Sequence, residues 1–149
     1  MEIVVKRASL EDAENVATLF NDYRVFYKQE SNITVALEFI SERLDKNESV
    51  IFFAQDAKGV LIGFTQLYPN FSSVSAKRSW ILNDLYVSSA ARRLGVARKL
   101  MNAAKDFAIS TGAKGISLET APDNVNAQAL YESLGYEKSS GFYSYYLSV

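Results

Sequence analysis

The chain's most chemically promising residues are the arginines and glycine of ARRLGVARKL and the tyrosine of DNVNAQALYESLGY. In the first stretch, a strand ending in LYV turns through SSAA into Arg92, Arg93, Leu94, Gly95, Val96, Ala97 and Arg98, at the threshold of a helix. A helix start leaves N–H groups without intrahelical partners, and such donors attract anions. Gly95 permits close backbone approach and Ala97 keeps the first turn slim. Arg92, Arg93 and Arg98 add formal charge to a helix dipole of roughly half a positive unit. A pyrophosphate is the natural guest; the alternative is a helix start carrying solvated arginines. Neither a G-x-x-x-x-G-K-[ST] phosphate loop nor a G-x-G-x-x-G dinucleotide motif is present.

Tyr131 is the second candidate. A phenol with a pKa of about 10 is protonated at neutral pH and can donate a proton to a leaving group. The structural alternative is a ring that packs with Leu130 and Leu134 against a sheet. Histidine and cysteine are both absent, so no imidazole can act as general base, and Ser-His and Cys-His mechanisms are excluded. Histidine and thiolate metal sites go with them, and no metal is expected. Proton transfer falls to carboxylates, tyrosine, lysine or water.

With 16 basic and 17 acidic residues the net charge is -1, which gives no global field for nucleic acid. A composition 48% hydrophobic, 13% aromatic and 22% charged is that of a globular protein. A chain of 149 residues suits one domain, and at that size roughly 68 to 70% of the unfolded surface is buried. The apolar run near the N-terminus is too short for a signal peptide or membrane span, so a soluble cytoplasmic protein without a membrane partner is expected.

The chain then has to position these groups. Residues 2–8 read as a strand, and SLED from Ser9 offers a helix cap. Val16, Leu19, Phe20, Tyr23, Phe26 and Tyr27 recur at helical spacing up to about Lys28. A second helix is expected over residues 34–46. SVIFFAQD, AKG and VLIGFTQLYPN form a hairpin, and a polar loop, FSSVSAKRS, leads to a third strand, WILNDLYV. A helix to about Thr111 ends at Gly112, KGISLET is a strand, and DNVNAQALYESLG is a helix closed by Gly135. The aromatic GFYSYYLSV completes the order as a final strand. The pattern is α/β (α+β): a mixed sheet of about seven strands with about four helices on both faces.

Asn124, Ala127, Leu130 and Tyr131 form N-x-x-A-x-x-L-Y, followed by L-G-Y at residues 134–136. With R-x-x-G-x-A at Arg92, Gly95 and Ala97 after a DLYV strand, the chain resembles the GNAT superfamily of N-acetyltransferases. The resemblance implies a mostly antiparallel sheet that splays between its fourth and fifth strands. It implies that the main chain of Leu85, Tyr86 and Val87 pairs with the pantetheine arm of acetyl-CoA, the cosubstrate. The pyrophosphate would lie on the amides of residues 93–98, Asn124 would contact the cofactor arm with Asn126 close by, and Tyr131 would match the family's general acid. An amine attacking a thioester generates an oxyanion and expels a thiolate, so a donor of this kind is chemically required.

The acceptor poses the opposite problem. An alkylammonium with a pKa of about 10.4 must lose a proton first, at a cost of roughly 4.6 kcal/mol at pH 7. Asp84 is the candidate base or water organiser, with Glu119 a weaker one and a structural hydrogen bond or ion pair the alternative for Asp84. The segment QLYPNFSSVSAKRSWILNDLYV is similar to that of small amine and polyamine acetyltransferases, whose strand carries Glu then Asp before the apolar triplet. Asn83 and Asp84 stand there in this chain, which departs from the polyamine pattern. Acceptor walls in this family come from the first two helices and the hairpin, so Tyr23, Phe26, Tyr27 and Glu30 are candidates, although an aromatic stripe at this spacing is also what a core requires. The expected activity is direct acetyl transfer to a small primary amine, with a protein or peptide amine, or a non-catalytic acyl-CoA-binding role, as alternatives. A homodimer is expected, and nucleic acid is not expected as a partner.

Overall fold

The computed structural model describes residues 2–149 and divides them into two compact units, the first ending at Leu118 and the second spanning Glu119–Val149. The first unit holds a five-stranded sheet in the order β1-β2-β3-β4-β5. Its strands are β1 (Val4–Arg7), β2 (Val50–Gln55), β3 (Leu61–Ser72), β4 (Lys77–Val87) and β5 (Ile116–Ser117). All neighbours run antiparallel except β4 and β5, which are parallel. The helices of this unit are α1 (Ala13–Phe26), α2 (Ile33–Asp45) and α3 (Val96–Ser110).

Helix boundaries follow local chemistry. The Ser9 amide donates to Asp12 Oδ2 at 2.9 Å, closing a one-turn 3-10 helix (Leu10–Asp12) that feeds α1. Asn32 caps α2, its Oδ1 accepting from the Val35 amide at 3.1 Å. Gly112 follows α3 with φ +70, the left-handed conformation that ends a helix at low cost in glycine.

Successive residues of β2 face opposite sides of the sheet, and the two cores divide accordingly. Ile51 and Phe53 join Val16, Phe20, Ala36 and Ile40 beneath α1 and α2. Ala54, with Phe52 packed against its cluster, joins Val96 and Leu100 of α3 on the other face. Gly63 of β3 permits that second contact: a Cβ there would stand 3.0 Å from the Tyr86 carbonyl oxygen and 3.1 Å from Val96.

The β4–β5 ladder covers only Trp80 with Ile116 and Ile81 with Ser117. From Leu82 to Val87 the outer edge of β4 therefore has no strand partner among the described residues. This is the break between fourth and fifth strands that the family resemblance implies. A second irregularity lies on the other edge, where Gln66 pairs with Asp84 and Leu67 with Leu82. Asn83 is the extra residue, so β4 bulges there.

Three expectations are corrected. FSSVSAKRS is not a loop: β3 runs to Ser72 and β4 starts at Lys77, leaving a four-residue turn closed by Ala76 at φ 53. KGISLET yields a strand of only two residues. The seventh and sixth strands are absent, because residues 136–149 contain no helix or strand. Alternating aromatics supply strand propensity but not the neighbouring backbone that a ladder needs, and Tyr143 and Tyr145 remain 93% and 95% exposed.

The second unit is built on α4 (Val125–Ser133). Asn124 caps it, its Oδ1 accepting from the Ala127 amide at 3.4 Å, and Gln128 Nε2 donates to the Ala121 and Pro122 carbonyls. Gly135 follows at φ +93.

Candidate active site

Asp84 is the polar centre of the first unit, 2% exposed on β4. Asn83 Nδ2 donates to its Oδ1 at 2.8 Å and Gln66 Nε2 to its Oδ2 at 2.5 Å. The Tyr23 hydroxyl, from α1, hydrogen-bonds the same carboxyl. Gln66 is itself oriented, its Oε1 accepting from Ser49 Oγ at 2.8 Å. Burial pushes the Asp84 carboxyl above its ordinary range, outweighing the three donors, which pull the other way. Burial and the neighbouring Asp84 charge raise the Tyr23 phenol, and burial first and Asp84 second push Tyr68 up to about 12. Tyr23 is thereby held protonated, as a donor to Asp84 rather than a base.

The bulge turns Asn83 outward while Asp84 stays inside. Because the buried carboxylate can only accept, it fixes the Asn83 amide with Nδ2 inward, leaving Oδ1 as an acceptor on the exposed side. Rings assemble nearby in the same unit. Tyr23 lies edge-on to Tyr27 at 5.0 Å and to Tyr86 at 6.2 Å, and Phe26 meets Tyr27 at 5.3 Å and Tyr86 at 6.4 Å. Tyr23 packs into the core against Phe20 and Phe64, whereas Phe26 and Tyr27 are 59% and 57% exposed. Glu30 is exposed in the α1–α2 connection and is not drawn into this cluster.

Beyond Val87 the chain makes a 3-10 turn (Ser89–Ala91) and then enters a strained loop. Arg93 is left-handed at φ 66, Gly95 at φ 78, and α3 begins at Val96. The first helical hydrogen bond runs from the Lys99 amide to the Gly95 carbonyl at 3.1 Å. The Val96 and Ala97 amides therefore have no intrahelical acceptor, and the space a Cβ would fill at Gly95 is open. Amides without an intrahelical acceptor, the exposed guanidiniums of Arg93 and Arg98, and the positive end of α3 together fit a diphosphate. Leu94 is exposed at the loop's tip. Arg92 is turned back: its Nε donates to the Val87 carbonyl at 3.1 Å, and its guanidinium lies 5.5 Å from the Phe26 ring centre and 5.9 Å from that of Tyr86. It braces the loop against the strand end.

In the second unit, Tyr131 is half-buried on α4, its ring 6.1 Å from that of Tyr136. The Tyr136 amide donates to the Tyr131 carbonyl at 3.0 Å. The Tyr136 hydroxyl is buried without a hydrogen-bond partner, and burial raises its pKa. Asn124 spends its side-chain oxygen on the helix cap, while Asn126 is exposed in the first turn. Glu119 is exposed and opens this unit.

Gln66 is the partner of Asp84 that sequence reasoning missed, together with Tyr68, whose phenol the Asp84 charge reaches. Their signal was available in FTQLY, where a glutamine interrupts an apolar strand; both Thr65 and Gln66 are fully buried.

A strand edge freed beside a helix start with unpaired amides is what the GNAT resemblance implies for an acyl-CoA transferase, and the comparisons with known proteins show the family. Residues 14–136 match the model of the acetyltransferase (GNAT) family. The chain belongs to that family and is an acetyl-CoA-dependent N-acetyltransferase. It is 49% identical over 145 residues to an uncharacterized N-acetyltransferase, YhfO, of Bacillus subtilis (strain 168), with 97% of each chain covered. A crystal structure of a probable acetyltransferase superposes with TM-score 0.92 at 43% identity, covering 100% of this chain and 98% of that one. The fold is shared with AAC(6')-Iy in complex with the bisubstrate analogue CoA-S-monomethyl-acetylneamine, at TM-score 0.84 and 20% identity with both chains fully covered.

Proposed function

We propose that the enzyme acetylates a primary amine of a small molecule by direct transfer, both substrates being bound together. The observation that carries this reading is the bulge at Asn83, where a buried carboxylate takes the Nδ2 of an exposed amide and leaves its oxygen to accept, in the unit that also exposes the rings of Phe26 and Tyr27. An amide oxygen accepts from an amine N–H, and the rings of Phe26 and Tyr27 offer faces to a cation or an apolar body. Tyr23 and Asp84 position Asn83, and Glu30, exposed in the α1–α2 connection, is proposed to reach a cationic acceptor only once it is bound. The structural relative's CoA-linked aminoglycoside analogue accords with a small amine acceptor.

In this reading acetyl-CoA pairs along Leu85, Tyr86 and Val87 and rests its diphosphate on the loop from Arg92 to Arg98, with Asn124 and Asn126 contributing from α4. The amine nitrogen, having lost a proton toward Asp84 through water, attacks the thioester carbonyl carbon and forms the C–N bond. Collapse of the oxyanion breaks the C–S bond, and the Tyr131 hydroxyl protonates the departing thiolate. The nitrogen releases its second proton to solvent. No cysteine is present to carry the acetyl group covalently, so no acetyl-thiol enzyme forms. The exposed stretch 142–147, with four aromatic residues, is proposed to bury itself in a homodimer, checked by light scattering of the chain with and without it.

The test is release of free CoA thiol from acetyl-CoA in the presence of single amines. Amine-dependent release from small amines is expected; acetylation confined to peptides, or no release at all, overturns the reading.

A further inference from the structure

A second feature lies at the far end of the sheet. Arg7 closes β1, and its guanidinium carbon sits 5.0 Å from the centre of the Phe107 ring. Phe107 meets Trp80 edge-on at 5.0 Å. Arg78 sits 5.2 Å from the Trp80 ring and 4.8 Å from that of Phe71. Two cations and three rings thus form one contact chain, from Arg7 through Phe107 and Trp80 to Arg78 and Phe71, along the wall of one groove of about 400 Å³.

Neither arginine is neutralised. No carboxylate lines the groove, and neither Arg7 nor Arg78 is in an ion pair among the described residues. A guanidinium stacked on a ring uses its face and keeps its N–H edge for an oxyanion. The indole N–H of Trp80 is already given to Thr111 Oγ1 at 3.0 Å, so its apolar surface is what the groove is offered. The volume suits a molecule of one or two rings.

The groove is also separate from the diphosphate loop. Trp80 and Val87 are seven steps apart along β4, about 23 Å at roughly 3.3 Å per step; Val96 and Phe107 are eleven steps apart along α3, about 16 Å.

We propose that this groove binds an aromatic oxyanion, an arylcarboxylate or aryl phosphate, whose ring packs beside Trp80 and Phe107 and whose oxygens take the N–H edges of Arg7 and Arg78. Trp80 is the chain's single tryptophan, so its fluorescence reports on this site alone. The experiment titrates the full chain with benzoate and with phenyl phosphate, with inorganic phosphate and cyclohexanecarboxylate as controls. A saturable change with at least one aromatic anion is expected, weakened about tenfold in Arg78→Gln and in Arg7→Gln, the loss of one charge-assisted hydrogen bond. Binding should persist with saturating CoA, and the tighter of the two probes identifies the oxyanion. Coenzyme A binding by each variant verifies its fold, and the two arginines lie on different strands, so either variant carries the test. Absence of saturation with both aromatic anions, equal affinity in folded variants, or displacement by CoA overturns the proposal.

Discussion

Asn83 and Asp84 are adjacent on β4 and joined by a 2.8 Å hydrogen bond, yet one side chain is exposed and the other is 2% exposed. A regular strand would also put them on opposite faces, but would not let them bond side by side; the bulge does both. Asn83→Ala is predicted to raise KM for the amine acceptor about tenfold, the worth of one polar contact, with coenzyme A affinity unchanged. Steady-state kinetics with acceptor varied at saturating acetyl-CoA measure this.

The raised pKa of Asp84 has a thermodynamic signature. The folded chain holds this proton more tightly than the unfolded chain, whose aspartates titrate at about 3.9. Stability contributed by protonated Asp84 is therefore lost as pH rises from about 3.9 through the folded value, and stays lost above it. Urea unfolding of wild type and Asp84→Asn across that window should show the wild-type stability falling relative to the variant as pH rises. A difference that stays flat or grows contradicts the assignment.

Two glycines separate steric from conformational demand. Gly63→Ala meets the Tyr86 carbonyl at 3.0 Å and Val96 at 3.1 Å, so it is predicted to destabilise by about 1–3 kcal/mol through overpacking. Gly95→Ala meets nothing within 4 Å but must keep φ +78, at a cost of about 1–2 kcal/mol. Only the second is expected to weaken CoA binding at the proposed diphosphate site, because only Gly95 lies in that loop. Denaturation midpoints and calorimetry distinguish them.

Arg93 holds a left-handed backbone at φ 66 without being glycine. Arg93→Gly relieves that strain and is predicted to raise stability by up to about 1 kcal/mol. Removing an exposed cation at the loop should simultaneously weaken coenzyme A binding and flatten its salt dependence. Thermal unfolding and calorimetry at two salt concentrations check both parts.

What the sequence made legible was local. Ser9, Gly112 and Gly135 mark helix ends through contacts within four residues, and the R-x-x-G-x-A and N-x-x-A-x-x-L-Y stretches fall on the expected helix starts; Asn32, which caps α2, was not read from the sequence. Features that depend on distant partners were not legible. The length of β5 depends on how far Ile116 and Ser117 follow β4, and GFYSYYLSV has strand propensity without a strand to join. The Asp84 network was half visible: its carboxylate stood out, but Gln66 comes from β3, Tyr23 from α1 and Ser49 from the connection before β2, and only packing reveals that they converge.

The most direct test of the catalytic account is Tyr131→Phe, assayed for kcat with acetyl-CoA and a reactive amine and for coenzyme A affinity by calorimetry. Loss of the proton donor predicts a kcat lower by about 100-fold or more, with affinity within about twofold of wild type. An unchanged kcat, or a coenzyme A affinity that falls in step with turnover, contradicts the role of Tyr131 as the acid.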